Sequence, residues 1–364
     1  MTTDELINSP LADWIVECED EQDIVIGTIG RLVRNLPDYR FPGWSTAEDR
    51  RAVSNILLPA LRGLRGVKNA YCCEMTELSY EQRRALMVRK QLTPCMAARQ
   101  DGCHLLIPEK RDIICMVNEE EHLVLHACRA GNSIRETINE LRKLASALES
   151  KVNFAQDSRN GYLTSMPGES GDGIQIYTVL HLPGLAISNM MPQVTKAMEK
   201  LHINISPYYS DGEDDTGNLF IIYSIPGPKG STEELMTHYR NILKQLVNRE
   251  LQVRAKLTEK PGLVLADKVA RAYATLSHAR RISLQESRNA ISVLRLGYLL
   301  GMLDWNADSS ARVTIRQLRQ LDVMLALNTA LRKPEEEAAQ PIVRARATRN
   351  FLAANRAGLS AQFS

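Results

Sequence analysis

Three short segments of this 364-residue chain carry side chains whose types and spacing could do chemistry. In Asn118-Glu119-Glu120-Glu121-His122, consecutive carboxylates open an apolar run, Leu123-Val124-Leu125-His126. Paired carboxylates accept the forked donors of a guanidinium, so this cluster could clamp an arginine-like cation; a solvated acidic turn is the plain alternative. His122 and His126 fall on one face of a strand, but no third ligand stands beside them for zinc. Between Gly161 and Gly173, with Gly168 and Gly171 inside, the glycine density suits a backbone that approaches a ligand closely or turns tightly. The segment has neither the Gly-Lys-Ser/Thr of a Walker loop nor the strand before and helix after of a dinucleotide fingerprint. Asp211-Gly212-Glu213-Asp214-Asp215-Thr216-Gly217 has the acidity of a calcium loop without EF-hand spacing, and reads as a surface loop.

Elements must hold these segments in place. Alternating runs at 23–27, 112–117, 174–181, 202–209 and 219–224 predict strands, and amphipathic stretches at 46–61 and 133–148 predict helices. Strands separated by Gly/Pro/Asp-rich loops point to an α+β domain built on an antiparallel sheet flanked by helices. After about residue 232 helical periodicity runs almost unbroken through Leu303, so an all-helical C-terminal domain is expected to follow. The expected division is 1–257 and 258–364. The tail opens as a polar linker at 333–337 and then carries Arg344, Arg346, Arg349 and Arg356, for which a solvated basic helix is the plain reading.

Composition limits the partners. Lys plus Arg number 45 against 43 for Asp plus Glu, a net charge of +2. No global field draws nucleic acid or an anionic membrane, so any basic function must be local. The acidic N-terminus lacks the form of a signal peptide, and no stretch reaches the roughly 18 apolar residues of a membrane span. A cytoplasmic protein is the expectation. All 7 cysteines lie in the first 130 residues without a C-x-x-C pair, which predicts reduced, mostly buried thiols.

Taken in order, the blocks resemble the signatures of ATP:guanido phosphotransferases, and of the bacterial protein-arginine kinase branch in particular. Asp23-Ile24-Val25-Ile26 with Arg31-Leu32-Val33-Arg34-Asn35 and Arg40-Phe41-Pro42 is similar to D-I-V-x-S-S-R-I-R-L-x-R-N and R-F-P. Asn118 to His122 is similar to N-E-E-D-H, the 161–173 segment to G-Y-L-T-S-C-P-T-N-x-G-T-G-L-R, and His181-Leu182-Pro183-Gly184-Leu185 to H-L-P-A-L. Asp267-Lys268-Val269, Glu286 and Arg295-Leu296-Gly297 resemble the branch's helical dimerisation and protein-binding domain. The resemblance implies phosphoryl transfer from MgATP to arginine side chains of proteins, with no protein-bound metal. It also implies a homodimer whose partners are arginine-containing proteins, a zinc-binding activator protein and a protease chaperone, with neither nucleic acid nor membrane.

Carried over position by position, the resemblance assigns catalysis to Glu119, Glu120 and Asp211, and nucleotide binding to Arg31, Arg89, Gly171 and Gly173. Other positions are substituted: family arginines fall on Ile29, Val124, Gln175 and Ser206, the family cysteine on Met166, and a Thr-Asn pair on Gly168-Glu169, which adds negative charge where phosphate should sit. The late R-D-x-x-R-A element has become Pro341-Ile342-Val343-Arg344-Ala345-Arg346. A hydrogen bond to a charged group contributes roughly 1.5–3 kcal/mol, so four lost arginines could remove about 6–12 kcal/mol if the losses added. The expected result is a weak or inactive pseudokinase acting through protein contacts. Two alternatives stand: an active protein-arginine kinase whose cradle is rebuilt from Arg34, Arg159 or Lys229, and a non-catalytic adaptor in a proteolysis or secretion assembly.

Overall fold

The ten residues Val25–Arg34 form β1, a strand buried on both faces along nearly its whole length. The computed structural model describes residues 1–19, 22–166, 169–208, 217–224, 232–259, 263–305 and 310–360. With β2 (Tyr71–Glu74), β3 (His104–Ile107), β4 (Ile113–Val117), β5 (Leu123–Ala130), β8 (Ile174–His181), β9 (Asn204–Pro207) and β10 (Leu219–Ser224), β1 makes an eight-stranded sheet in the order β2-β3-β4-β5-β1-β8-β10-β9. The β2-β3, β3-β4, β4-β5 and β1-β5 pairs are antiparallel. A small ribbon, β6 (Gln156–Asp157) with β7 (Gly161–Tyr162), stands apart. The α+β class expected from the alternating runs is what the chain adopts. β8 and β10 have the expected bounds, the strand expected at 202–209 is shorter, and the run at 23–27 is the start of a longer one.

The chain folds as two compact units. The first comprises Met1–Trp14, Gly27–Tyr177 and Tyr223–Tyr239. In it α1 (Thr3–Asn8), α2 (Asp13–Val16, which crosses its edge), α4 (Tyr80–Val88) and α5 (Pro94–Ala97) are short, while α3 (Ala47–Arg62) and α6 (Ile134–Glu149) are long and amphipathic. Thr46 and Asp49 close a capping box that starts α3. Val53, Leu57 and Leu61 of α3 and Leu141, Leu144 and Leu148 of α6 pack with Leu32, Cys115 and Leu125 of the sheet. Side chains alternate along β1, so Leu32 points into this core while Ile29, Arg31 and Val33 point to the other face.

The second unit comprises Ile15–Ile26, Thr178–Ile222 and Arg240–Ser364. It holds α7 (Pro183–Ile187), α8 (Met191–Lys200), most of α9 (Thr232–Thr258), then α10 (Leu263–His278), α11 (Leu284–Leu299), α12 (Ala311–Ala330), α13 (Gln340–Ala354) and the short pair β11 (Leu303–Asp304) and β12 (Gly358–Leu359). Leu265, Val269, Leu276, Leu294, Leu318, Leu325 and Leu352 form its core. The expected division after residue 257 falls at the end of α9, whereas here residues 15–26 and 178–222 pack with the C-terminal helices.

A buried polar knot fastens residues 15–26 within this unit. Asp23, fully buried, accepts from Arg295 Nε at 2.7 Å and from Arg319 Nη2 at 2.5 Å. Burial alone would raise its pKa, but Arg295, Arg319 and His181 outweigh that and hold the carboxyl well below its usual range. Arg319 also donates to the Glu17 carbonyl, and Arg254 to the Gln22 carbonyl. The tail corrects the reading of a solvated basic helix in part, for Arg346 and Arg356 are exposed as expected but two other arginines are not. Arg344 is buried and donates to the Ile282 carbonyl and to Thr329 Oγ1, and Arg349 donates to the Ala279 carbonyl. The linker at 333–337 runs into a 3-10 turn spanning Pro334–Ala339. No described helix is long and apolar enough to cross a membrane. The cysteines are free, with Cys72 and Cys95 half-buried and the other five buried.

Candidate active site

Arg31 stands on the face of β1 turned away from the Leu32 core, opposite His126 of β5. On the same face, Ile29 lies opposite Cys128 and Val33 opposite Val124. Ile29 and Val124, two positions where the resemblance places arginine, therefore bracket Arg31, and both present hydrocarbon. Only 7% of Arg31 is exposed. Its Nη1 donates to Glu169 Oε2 at 3.0 Å and to Gln175 Oε1 at 3.3 Å, and its Nη2 to Glu120 Oε2 at 3.2 Å. Gln175, on a third position where the resemblance places an arginine, acts as an acceptor for Arg31; Tyr177 Oη also donates to Gln175 Oε1, at 2.7 Å. Burial works against the Arg31 charge, but Tyr177, Glu169, Glu119 and Glu120 outweigh it and raise its pKa. Burial and Arg31 push His126 down to about 3, so the imidazole facing the guanidinium is neutral.

The turn between β4 and β5 supplies the carboxylates. Asn118 adopts φ +61° and ties the turn down by donating to the Arg50 and Gly102 carbonyls and to Ser54 Oγ. Glu119 is buried and accepts from Thr93 Oγ1 and from the Glu120 amide, each at 2.6 Å. Glu120 is the half-exposed member of the pair, with a pKa raised by burial and by Glu119. Glu121 accepts from Asn35 Nδ2 and from the Ser165 amide and hydroxyl, so it fastens the glycine-rich segment rather than facing the site. His122 accepts from the Leu36 amide and lies 2.8 Å from the Arg40 carbonyl through Nε2, between the Tyr39 and Phe41 rings. It is a structural histidine. Among the described residues no group of three His, Cys, Asp or Glu side chains is arranged to hold a metal ion.

The glycines answer a backbone need. Gly161 approaches Gly171 so closely that a Cβ would lie 2.6 Å from the Gly171 carbonyl oxygen. Gly173 has φ +63°, and a Cβ there would meet Arg34 Nη1 and the Val33 carbonyl oxygen at 2.8 Å. Arg34 is unavailable as a replacement cation: it donates to Glu149, the Val33 carbonyl and the Asp172 carbonyl, and lies 3.4 Å over the Tyr162 ring. Arg159 is exposed in the β6-β7 turn. Arg89 does not join the cluster, contrary to the role carried over to it: its guanidinium is spent on the Ile7 and Pro10 carbonyls and on Ser9 Oγ. Met166 is 54% exposed, and Ser206 is half-buried on β9 in the second unit. Asp211, Lys229, Pro167 and Gly168 lie outside the described residues.

Three groups at the site escape motif reading. Thr93, which starts α5 ahead of Pro94, holds Glu119; the Thr-Pro helix start was the available signal. Tyr177 shares a strand face with Gln175, as alternation along β8 requires. Arg99 carries no sequence signal. Its Nη2 lies 3.9 Å from Cys95 Sγ, its Nε is buried without a hydrogen-bond partner, and its charge acts on Glu120. The site thus gathers Glu119, Glu120 and Glu169 around Arg31, with Arg99 nearby. It is a cation-accepting arrangement in which the principal cation is already supplied from within.

Two sequence-family models match the chain. One described as ATP:guanido phosphotransferase, C-terminal catalytic domain, matches residues 52–253, and one described as Protein-arginine kinase McsB C-terminal domain matches residues 262–360. The chain is 27% identical over 305 residues to proteins named protein-arginine kinase from Bacillus cereus strain AH187 and from Bacillus anthracis strain CDC 684 / NRRL 3495, which covers 83% of this chain and 86% of each relative. Among solved structures, the duplicated taurocyamine kinase from Schistosoma mansoni with bound transition state analog components has a TM-score of 0.59 at 18% identity over 72% of this chain. The chain spans only 40% of the length of that duplicated kinase. Lombricine kinase has a TM-score of 0.55 at 19% identity, over 68% of this chain and 72% of its own. At such identities the likeness to the solved structures concerns the fold.

Proposed function

The chain belongs to the ATP:guanido phosphotransferase family, as a divergent member of its protein-arginine kinase branch, and on that premise we propose that it has lost most or all phosphoryl transfer and acts through protein contacts. One observation carries this reading: the guanidinium fork of Arg31 is spent on Glu169, Glu120 and Gln175. A kinase of this kind stabilises phosphoryl transfer almost wholly by positioning and by cations around the phosphates. Here the positions that would hold MgATP offer Ile29, Val124 and Gln175 on the sheet and a carboxylate beside the one retained arginine. The residues present do not fit MgATP.

Proteins remain the natural partners: arginine-containing chains first, with a zinc-binding activator and a protease chaperone as the branch's other associates, and the helical region as the docking and homodimerising part. A cytoplasmic location fits that role. Sedimentation velocity checks the dimer. The decisive assay incubates the purified chain with labelled ATP and an arginine-rich protein such as casein. Absence of acid-labile label is expected; robust label that disappears in Glu120→Ala would overturn the reading.

Retained activity with a rebuilt cradle is the second reading, and Arg99 favours it, because it is a cation near Glu120 whose Nε has no partner. Under that reading Arg99→Ala abolishes the label together with Glu120→Ala. The adaptor reading differs from the first only in the assembly served.

A further inference from the structure

We propose that Glu169 is a built-in counter-ion that closes a latent oxyanion site on Arg31. The inference rests on the reading of the site given above and deepens it, by naming the side chain that keeps anions out.

The two carboxylates on Arg31 are not equivalent. The Glu120 side chain is 52% exposed and reaches Nη2 from the solvent side, while the Glu169 side chain is only 13% exposed and takes Nη1 at 3.0 Å. Glu169 is also held there by its backbone. Its amide donates to the Met166 carbonyl at 2.9 Å, and in the same segment Thr164 Oγ1 donates to that carbonyl and lies 3.2 Å from Ser170 Oγ. Glu121 anchors the start of the segment through the Ser165 amide and hydroxyl. A carboxylate oxygen fixed at hydrogen-bond distance from a buried guanidinium offers it what a phosphoryl oxygen would: a negative oxygen along an N–H direction. It does so without the translational cost a free anion bears. An incoming oxyanion must displace Glu169 and then sit beside it unpaired.

The rest of the pocket favours an anion once that charge is gone. Gln175 Oε1 is held by the Tyr177 hydroxyl, so Arg31 Nη1 keeps a fixed direction, and Tyr177 packs at 5.1 Å against the Tyr223 ring. Glu120 engages the other nitrogen, so without the Glu169 charge one N–H of Nη1 is open to an anion while the other stays on Gln175. The ligand class is a small oxyanion, either free phosphate or the terminal phosphoryl group of a nucleotide.

The test is calorimetric titration of the full chain, and of Glu169→Gln, Glu169→Asn and the double variant Arg31→Gln/Glu169→Gln, with inorganic phosphate in one arm and ADP in the other. Thermal melts confirm that each protein is folded. The wild type is expected to show no saturable heat. Each single variant should gain at least about tenfold in affinity, because removing one unit charge at ion-pair distance is worth a decade or more of binding. The double variant should lose that gain. A gain in the phosphate arm alone identifies a free-phosphate site, and a gain in the ADP arm a nucleotide phosphoryl site; both support the lock. Folded single variants that bind no better than a non-binding wild type overturn the lock while leaving the loss of kinase function intact. A gain that survives without Arg31 overturns it too. A wild type that already binds ADP and transfers phosphate sinks the functional reading itself.

Discussion

At Arg31 a guanidinium almost out of reach of water keeps its charge because acids surround it, and two of those acids occupy donors of its fork. Glu169 on a family Asn position was legible in the sequence as an added negative charge near the phosphates. Its direct ion pair with Arg31 was not, because the two residues lie 138 positions apart and meet only through the fold. Arg89 misled for the opposite reason: a loose motif match cannot show that carbonyls of residues 7 and 10 consume its donors. Cys95 makes a residue-scale prediction. It is the half-buried thiol nearest the carboxylates, and burial followed by Glu119 pushes it up to about 11. A thiolate is the reactive form, so alkylation of Cys95 by iodoacetamide, followed by peptide mass spectrometry, should still climb between pH ~9 and ~11. A plateau near the ordinary thiol value of about 8.5 would contradict the raised pKa.

Strands and helices were the most legible level. β8 and β10 read correctly because alternation is undisturbed along them, while β2 and β3 are four residues each, too short for a period to declare itself. Arg344 looked solvent-bound because charge in a helix usually is; the neighbouring loop carbonyl at Ile282 that buries it is 62 residues away. The clamp of α11 and α12 on Asp23 sets the element-scale prediction. Asp23→Asn leaves two buried guanidiniums short of a counter-charge and should cost about 3–5 kcal/mol in denaturant unfolding. The pH dependence follows from signs. Asp23 has a depressed folded pKa, so its contribution is present above the unfolded value of about 3.9 and is lost as pH falls through the folded one. His126 and His181, both pushed down to about 3 chiefly by burial, stay neutral when folded. The unfolded chain binds protons there below about pH 6.5 that the folded chain does not, so each histidine removes up to about 1.4 kcal/mol per pH unit on the way down. Melting should therefore fall steadily from pH ~7 to pH ~5, and a flat profile would contradict the buried neutral rings.

For the whole molecule, ordered motifs made the family readable and alternation followed by helical periodicity made the fold class readable. The spatial partition was not. Residues 15–26 pack with helices more than two hundred positions later through Asp23, Arg295 and Arg319, and no local pattern announces such a pairing. Removing the chain from residue 258 onward would strip both arginines from Asp23, so a partner lost on that truncation would report a damaged fold as readily as a missing docking surface. Surface substitutions within the helical region are the cleaner probe. The central claim is that the carboxylate side of a guanido-kinase site persists while its phosphate side has been taken over by hydrocarbon, an amide and Glu169. Titration of the intact wild-type chain with MgATP at millimolar concentration tests it most directly. The account predicts no saturable heat, and a well-defined binding isotherm that vanishes in Arg31→Gln would contradict it.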